Sequence, residues 1–199
     1  MKPNNIKGKA IWGKQGFGGY PGVKHTAKKI VEHIPIKPIY VEPFAGLGRT
    51  SKLIQKYDKM ILNDKSEYAL NFLRIHFKDA IITDDDFMDC ILKHDSVGTV
   101  FFIDPPWDTS VYSENELTFC DRKDYEYYEQ IIEVLPKLKG DWILASNVQG
   151  AGSNRMRKLN YPNIIVESDK RVIIGKKART FLMSNKPFIK HRVTQTTLI

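Results

Sequence analysis

Five short runs rich in β-branched residues, Ile39–Glu42, Met60–Asn63, Ala80–Thr83, Thr99–Ile103 and Trp142–Ser146, are each followed by a stretch able to carry helical periodicity. Strands that alternate with helices form crossover units around a parallel sheet, because parallel neighbours need a connection long enough to hold a helix. The spacing predicts helices over Val23–His33, Arg49–Tyr57, Ser66–Phe77, Phe87–His94 and Lys123–Leu138, with a shorter one between Gly150 and Leu159. The last stretch breaks the pattern. Ile164–Glu167, Arg171–Ile174 and Arg179–Ser184 are strand-like runs with only a polar turn and Gly175–Ala178 between them, so the sheet is expected to end in an antiparallel hairpin. The fold class is α/β, mostly parallel.

With 199 residues, no internal repeat and no linker or low-complexity tract, the chain reads as one domain. Its charge divides it into three parts. Residues 1–37 carry +7, the core 38–150 carries −8, and residues 151–199 carry +9. Basic surface is what neutralises phosphates and steers a protein onto nucleic acid, although charge alone fits a merely solvated surface equally well. No apolar run approaches the ~18 residues that cross a bilayer, and Met1 to Gly8 are polar and basic, so secretion and membrane anchoring are not expected. Cys90 and Cys120 lie outside any CxxC or Cys/His ligand spacing. They read as reduced thiols in a cytoplasmic protein, with neither a disulfide framework nor a metal site.

The first chemical motif is Glu42-Pro43-Phe44-Ala45-Gly46-Leu47-Gly48-Arg49-Thr50, which follows a strand. Glycines there let the backbone approach a ligand closely, and the amides behind them favour polar or anionic groups. A dinucleotide fingerprint wants a third glycine at position 51, where Ser51 stands, so an NAD or FAD site is disfavoured. Asp64 lies 18 positions after Gly46 at the end of the next strand, where a carboxylate can take both hydroxyls of a ribose. The second motif, Asp104-Pro105-Pro106-Trp107, closes an apolar strand. The prolines remove two donors and leave carbonyls as acceptors, so a carboxylate and a proline carbonyl together can accept both hydrogens of an amino group. Trp107 offers a face for a flat base.

With these residues the sequence resembles the Dam-like family of DNA adenine methyltransferases, which use S-adenosylmethionine. The resemblance runs through Gly18-Gly19 and the following helix, the EPFAGLG turn, Asn63-Asp64, Asp86-Phe87, DPPW, Ser146-Asn147 and the terminal hairpin. It implies a Rossmann-like methyltransferase fold with a seven-stranded sheet. It implies that Glu42, Pro43, Phe44, Ala45, Gly46 and Gly48 line the cofactor, that Asp64 holds its ribose, and that Asp86 and Phe87 contact its adenine. Gly18, Gly19 and Tyr20 would lie against its methionine end, and Asp104, Pro105, Pro106 and Trp107 would hold a target adenine, with Asp104 also beside the cofactor. No metal is called for.

Two departures from the family pattern stand out. Tyr20 occupies the position after the glycine pair where members that read a duplex carry lysine, and only 22 positions separate Asp64 from Asp86, where those members carry a recognition insertion. The expected reaction is methylation of the exocyclic nitrogen of a flipped or unpaired adenine in duplex or single-stranded DNA. Arg155, Arg157, Lys158, Lys176, Lys177 and Arg179 are the candidate phosphate contacts, the last three on the hairpin turn. An RNA adenine methyltransferase is the alternative. A cytosine amino-methyltransferase and a non-catalytic nucleic-acid-binding relic are weaker ones, and a specificity partner or self-association is left open.

Overall fold

The computed structural model describes residues 23–106, 126–147, 151–172 and 176–190. In chain order these form α1 (Val23–Val31), β1 (Ile39–Glu42), β2 (Lys59–Asn63), α2 (Glu67–His76), β3 (Ile81–Thr83), α3 (Phe87–His94), β4 (Thr99–Ile103), α4 (Glu126–Val134), β5 (Asp141–Asn147), α5 (Ala151–Arg157), β6 (Asn163–Val172) and β7 (Lys176–Ser184). The strands make one seven-stranded sheet in the order β3-β2-β1-β4-β5-β7-β6. The first five are parallel, and β7 runs antiparallel to both β5 and β6.

Burial on both faces explains why the central strands read as unbroken apolar runs rather than alternating ones. Every residue of β4 is buried. Val100 and Phe102 join Ile30 and Val31 of α1 and Leu73 of α2 on one side. Phe101 and Ile103 join Phe87 and Ile91 of α3, Tyr128 and Ile131 of α4 and Met156 of α5 on the other. Side chains at i and i+2 of a strand share a face, so five consecutive residues feed two cores. Both α2 and α3 begin on a polar side chain that satisfies a free helix amide: Ser66 accepts from the Ala69 amide and Asp86 from the Met88 amide.

Two expectations are corrected. The helix expected over Arg49–Tyr57 is only a short 3-10 turn at Ser51–Leu53. Its residues are claimed by long-range partners, since the Ser51 hydroxyl turns into the core to donate to Glu42, and Lys56 takes a left-handed φ of 64° that no helix can continue through. The runs Ile164–Glu167 and Arg171 onward are a single strand, β6, interrupted by a register shift between Glu167 and Arg171. Lys176, Lys177 and Arg179 therefore stand in the ladder of β7, opposite Val172, Arg171 and Glu167, and not in the hairpin turn.

Among the described residues Trp142 is the largest fully buried side chain. Its indole Nε1 donates to the Leu135 carbonyl at 3.1 Å and its ring meets Tyr161 edge-on, 5.0 Å between centroids. Trp142→Phe removes the indole donor and leaves a void, while the Leu135 carbonyl keeps its bond from the Leu138 amide at 3.3 Å, so urea unfolding is expected to show a loss of about 1–3 kcal/mol with an unchanged m-value.

Candidate functional site

The parallel part of the sheet reverses its order between β1 and β4: β2 and β3 lie to one side of that pair, β5 to the other. In an open α/β sheet a crevice forms outside the carboxyl ends of the strands at this point. Both chemical motifs open there, Glu42-Pro43-Phe44 from β1 and Asp104-Pro105-Pro106 from β4. Asp104 and Pro106 are partly buried and Pro105 is buried.

Asn63, the last residue of β2, ties three strand ends together. Its amide Nδ2 donates to the Pro43 carbonyl at 3.0 Å and the Asp85 carbonyl at 3.1 Å, while its Oδ1 accepts from the Thr83 hydroxyl at 2.8 Å. Its own carbonyl accepts from the Ala45 amide at 2.8 Å. The side chain is 1% exposed, so these bonds replace water completely. The linear motif assigns Asn63 no role; the available signal is an amide at the end of an otherwise apolar buried strand.

The two glycines of the turn differ in purpose. Both have left-handed φ, 52° at Gly46 and 64° at Gly48. A Cβ on Gly48 would come within 2.5 Å of the Phe77 ring, so this glycine makes room for the protein's own packing. A Cβ on Gly46 would meet nothing within 4 Å. Gly46 thus presents bare backbone to open space, as a close-approaching ligand requires. Its amide donates to Asp64 Oδ2 at 2.7 Å, and Asp64 Oδ1 accepts from the Ser66 amide at 2.8 Å. Burial raises the Asp64 pKa, and the backbone amides of Ser66, Gly46 and Lys65 oppose that shift. With three amides on its two oxygens, the carboxylate keeps acceptor capacity for a hydroxyl.

Beside the turn, Phe44 packs on Phe87 (5.0 Å between centroids) and edge-on against Tyr127 (5.5 Å). Phe87 is buried, whereas Phe44 keeps exposed ring surface. Asp86 caps α3 through Oδ1 at 2.9 Å from the Met88 amide.

Glu42 is 3% exposed, and both the Tyr40 and Ser51 hydroxyls donate to its Oε2. Burial pushes its carboxyl up to about 8; the charges of Asp104 and Asp64 add to the rise, and the two hydroxyls oppose it. Burial and the nearby Glu42 also raise the Tyr40 phenol well above its ordinary value. Three carboxyl groups, Glu42, Asp64 and Asp104, therefore sense one another at one end of the sheet. Tyr40 and Ser51 are site residues that the motifs alone do not reveal.

The remaining sequence candidates are dispersed. Arg155 on α5 pairs with Glu129 at 3.2 Å, the Arg157 guanidinium lies 5.0 Å over the Phe181 ring, and Lys158 is exposed just after α5. Arg179 on β7 pairs with Glu167 at 3.6 Å. Gly18, Gly19, Tyr20, Trp107 and Cys120 lie outside the described residues. Cys90 is buried in α3, and burial pushes its thiol up to about 12. Among the described residues no group of three or more His, Cys, Asp or Glu side chains is arranged to hold a metal ion, and no helix is long and apolar enough to cross a membrane.

Residues 20–84 match the family model of the D12 class N6 adenine-specific DNA methyltransferases. The match spans α1, the glycine turn and Asp64, and ends before Asp86 and Asp104. No curated protein sequence matches the chain. Its fold is similar to that of an rRNA methylase from Streptococcus thermophilus (TM-score 0.50, 11% identity, covering 83% of this chain and 98% of that one). It is also similar to a precorrin 8w decarboxylase from Methanobacterium thermoautotrophicum (0.52, 12%, 84% and 91%) and to the methyltransferase domain of METTL16 (0.55, 10%, 82% and 80%). The chain has a Rossmann-like methyltransferase fold.

Because the folded state holds the Glu42 proton up to about pH 8 while the unfolded chain releases it near 4.5, stability falls as pH rises through that window, by up to about 1.4 kcal/mol per unit. Glu42→Gln keeps the acceptor for Tyr40 and Ser51 without the titration. Urea unfolding is expected to find it more stable than the unsubstituted protein at pH 9, with most of that advantage gone at pH 5.

Proposed function

We propose that this chain is an S-adenosylmethionine-dependent methyltransferase that modifies the N6 amino group of adenine in DNA. The observation that carries this reading is the opening of Glu42-Pro43-Phe44 and Asp104-Pro105-Pro106 from adjacent strands at the switch point, with Gly46 bare beside them. The match of residues 20–84 to an adenine-specific family supports it.

The residues present fit the cofactor. Gly46 leaves space for close approach, Asp64 can accept from ribose hydroxyls, and the partly exposed Phe44 ring, with Asp86 and Phe87 behind it, can face an adenine. Gly18, Gly19 and Tyr20 are assigned to the methionine end, and Glu42, Pro43, Ala45 and Gly48 to shaping the turn. When bound, S-adenosylmethionine supplies an electrophilic methyl group. The chain's own task is the acceptor amine, a poor nucleophile because its lone pair is delocalised into the ring. Asp104 and the Pro105 carbonyl accept its two N–H bonds, drawing them out of plane, and Trp107 stacks on the base while Pro106 keeps the loop stiff. Arg155, Arg157, Lys158, Lys176, Lys177 and Arg179 contribute phosphate contacts.

RNA adenine methylation is the second reading. The path from Asp64 to Asp86 holds only α2 and β3, which leaves no recognition insertion to read a duplex sequence. Specificity then comes from elsewhere in the chain, a partner or self-association.

Tritiated methyl transfer to duplex DNA, single-stranded DNA and RNA, followed by nucleoside analysis, tests the activity. N6-methyladenine is expected in DNA; label in RNA alone favours the second reading, and label in no nucleic acid sinks both. Asp104→Ala is expected to lower kcat about 10²–10³-fold, which is ~2.7–4 kcal/mol, with calorimetric cofactor binding retained.

The two glycines separate cofactor binding from folding. Gly46→Ala carries the roughly 1–2 kcal/mol of left-handed strain and should weaken cofactor binding at least tenfold. Gly48→Ala adds the collision with Phe77 to the same strain, so its melting temperature should fall further than that of Gly46→Ala.

A further inference from the structure

We propose that Glu42 sets the charge that the crevice accepts at the 5′ position of an adenosine: a cationic group is admitted there, a phosphate is turned away, and entry of the cation drives a proton off the chain. The inference rests on the cofactor reading above and adds a selecting residue to it.

Glycine-rich turns hold phosphates when a helix N-terminus stands behind them. Behind this turn there is no such helix: Ser51–Leu53 is a three-residue 3-10 turn, and the chain leaves it in extended backbone at Ile54. A carboxyl group takes its place. Glu42 and Ser51 bracket residues 43–50, and the Ser51 hydroxyl donates to Glu42 Oε2 across the base of the turn, where the Tyr40 hydroxyl also donates at 2.9 Å. The position at which a dinucleotide fingerprint wants its third glycine thus holds a side chain tied to an acid.

Two more acids stand close by. Tyr40 lies with Val100 and Phe102 of the adjacent β4 on one face of the sheet, and Glu42, two residues after Tyr40, shares that face. Asp104 follows Phe102 by two positions, and its charge reaches both Tyr40 and Glu42. Asp64 is held by the Gly46 amide at 2.7 Å and also acts on Glu42. Arg49 belongs to the turn itself, is partly buried, and has its pKa lowered by that burial.

Burial first, with Asp104 and Asp64 adding to it and the two hydroxyls opposing, pushes the Glu42 carboxyl up to about 8, so the free protein holds this proton at neutral pH. A positive charge brought into such poorly hydrated surroundings favours the ionised form, and the proton passes to solvent. A phosphate there does the reverse and is repelled by Asp64 and Asp104. S-adenosylmethionine carries a sulfonium on its 5′ carbon, S-adenosylhomocysteine the same skeleton with a neutral sulfur, and AMP a phosphate. Because the free chain binds the proton and the complex with the cation does not, affinity for S-adenosylmethionine rises with pH, by up to about tenfold per unit, and levels off above about 8.

Titration calorimetry on the full chain with these three compounds, from pH 6 to pH 9 and in two buffers of different ionisation enthalpy, reads affinity and protons exchanged without turnover. S-adenosylmethionine is expected to release about one proton at the acidic end, its affinity relative to S-adenosylhomocysteine should grow toward pH 8, and AMP should bind most weakly. Glu42→Gln should abolish the proton release, flatten that ratio and let AMP gain on S-adenosylhomocysteine. Ser51→Ala removes a hydroxyl that favours ionised Glu42, so the midpoint should move to higher pH, whereas a merely structural role lowers affinity equally at every pH. The profile of the unsubstituted protein stands as a test even if neither variant folds. A ratio independent of pH in that protein, the same slope in Glu42→Gln, or AMP binding more tightly than S-adenosylhomocysteine would overturn the proposal alone. Failure of all three compounds to bind removes the cofactor reading and this proposal with it.

Discussion

The Asn63 side chain is the hinge pin of the crevice. Carbonyls past a strand end lose their ladder partners, and those of Pro43 and Asp85, just beyond β1 and β3, come together at the end of β2. One planar amide reaches both of these carbonyls, and the Thr83 hydroxyl closes its remaining acceptor, so that the glycine turn, the Asp64 loop and the cap of α3 are fixed relative to each other. Aspartate could not substitute, since it would present an oxygen to the carbonyls where an N–H is needed. The positions of Gly46, Asp64 and Asp86 follow from this one group.

Around that pin the chain concentrates carboxyl groups in poorly hydrated surroundings. Glu42 is kept by a phenol and a hydroxyl that accommodate either protonation state, which lets it sit close to Asp104 and Asp64 without three full negative charges coming together. The aromatic wall of Phe44, Phe87 and Tyr127 limits water on the adjoining side. Such a site favours neutral, flat, hydrogen-bonding groups.

Most of this architecture was legible because it is locally encoded. β1, β4 and α3 fall on the expected residues, since uninterrupted apolar runs and helical periodicity need no distant partner to be recognised. The errors fall where a distant residue decides. Nothing near Ser51 announces that Glu42 claims its hydroxyl, and nothing in the run Glu167–Arg171 announces that β6 carries extra residues against β7. The same holds for the site: the motif residues are visible as words, but the roles of Asn63, Thr83 and Tyr40 exist only once three strands are adjacent.

The ring of Phe77 fills the volume that a side chain at position 48 would need, and Phe77 is also the cap at which α2 ends, its amide bonded to the Leu73 carbonyl. Positions 48 and 77 are consequently not free to drift separately. In related sequences a side chain at the first should appear only with a small residue at the second, and a helix of altered length between them would displace the ring and relax the demand for glycine. A constraint that looks like a ligand-binding signature in one dimension is, at this position, a record of which helix end packs beneath the turn.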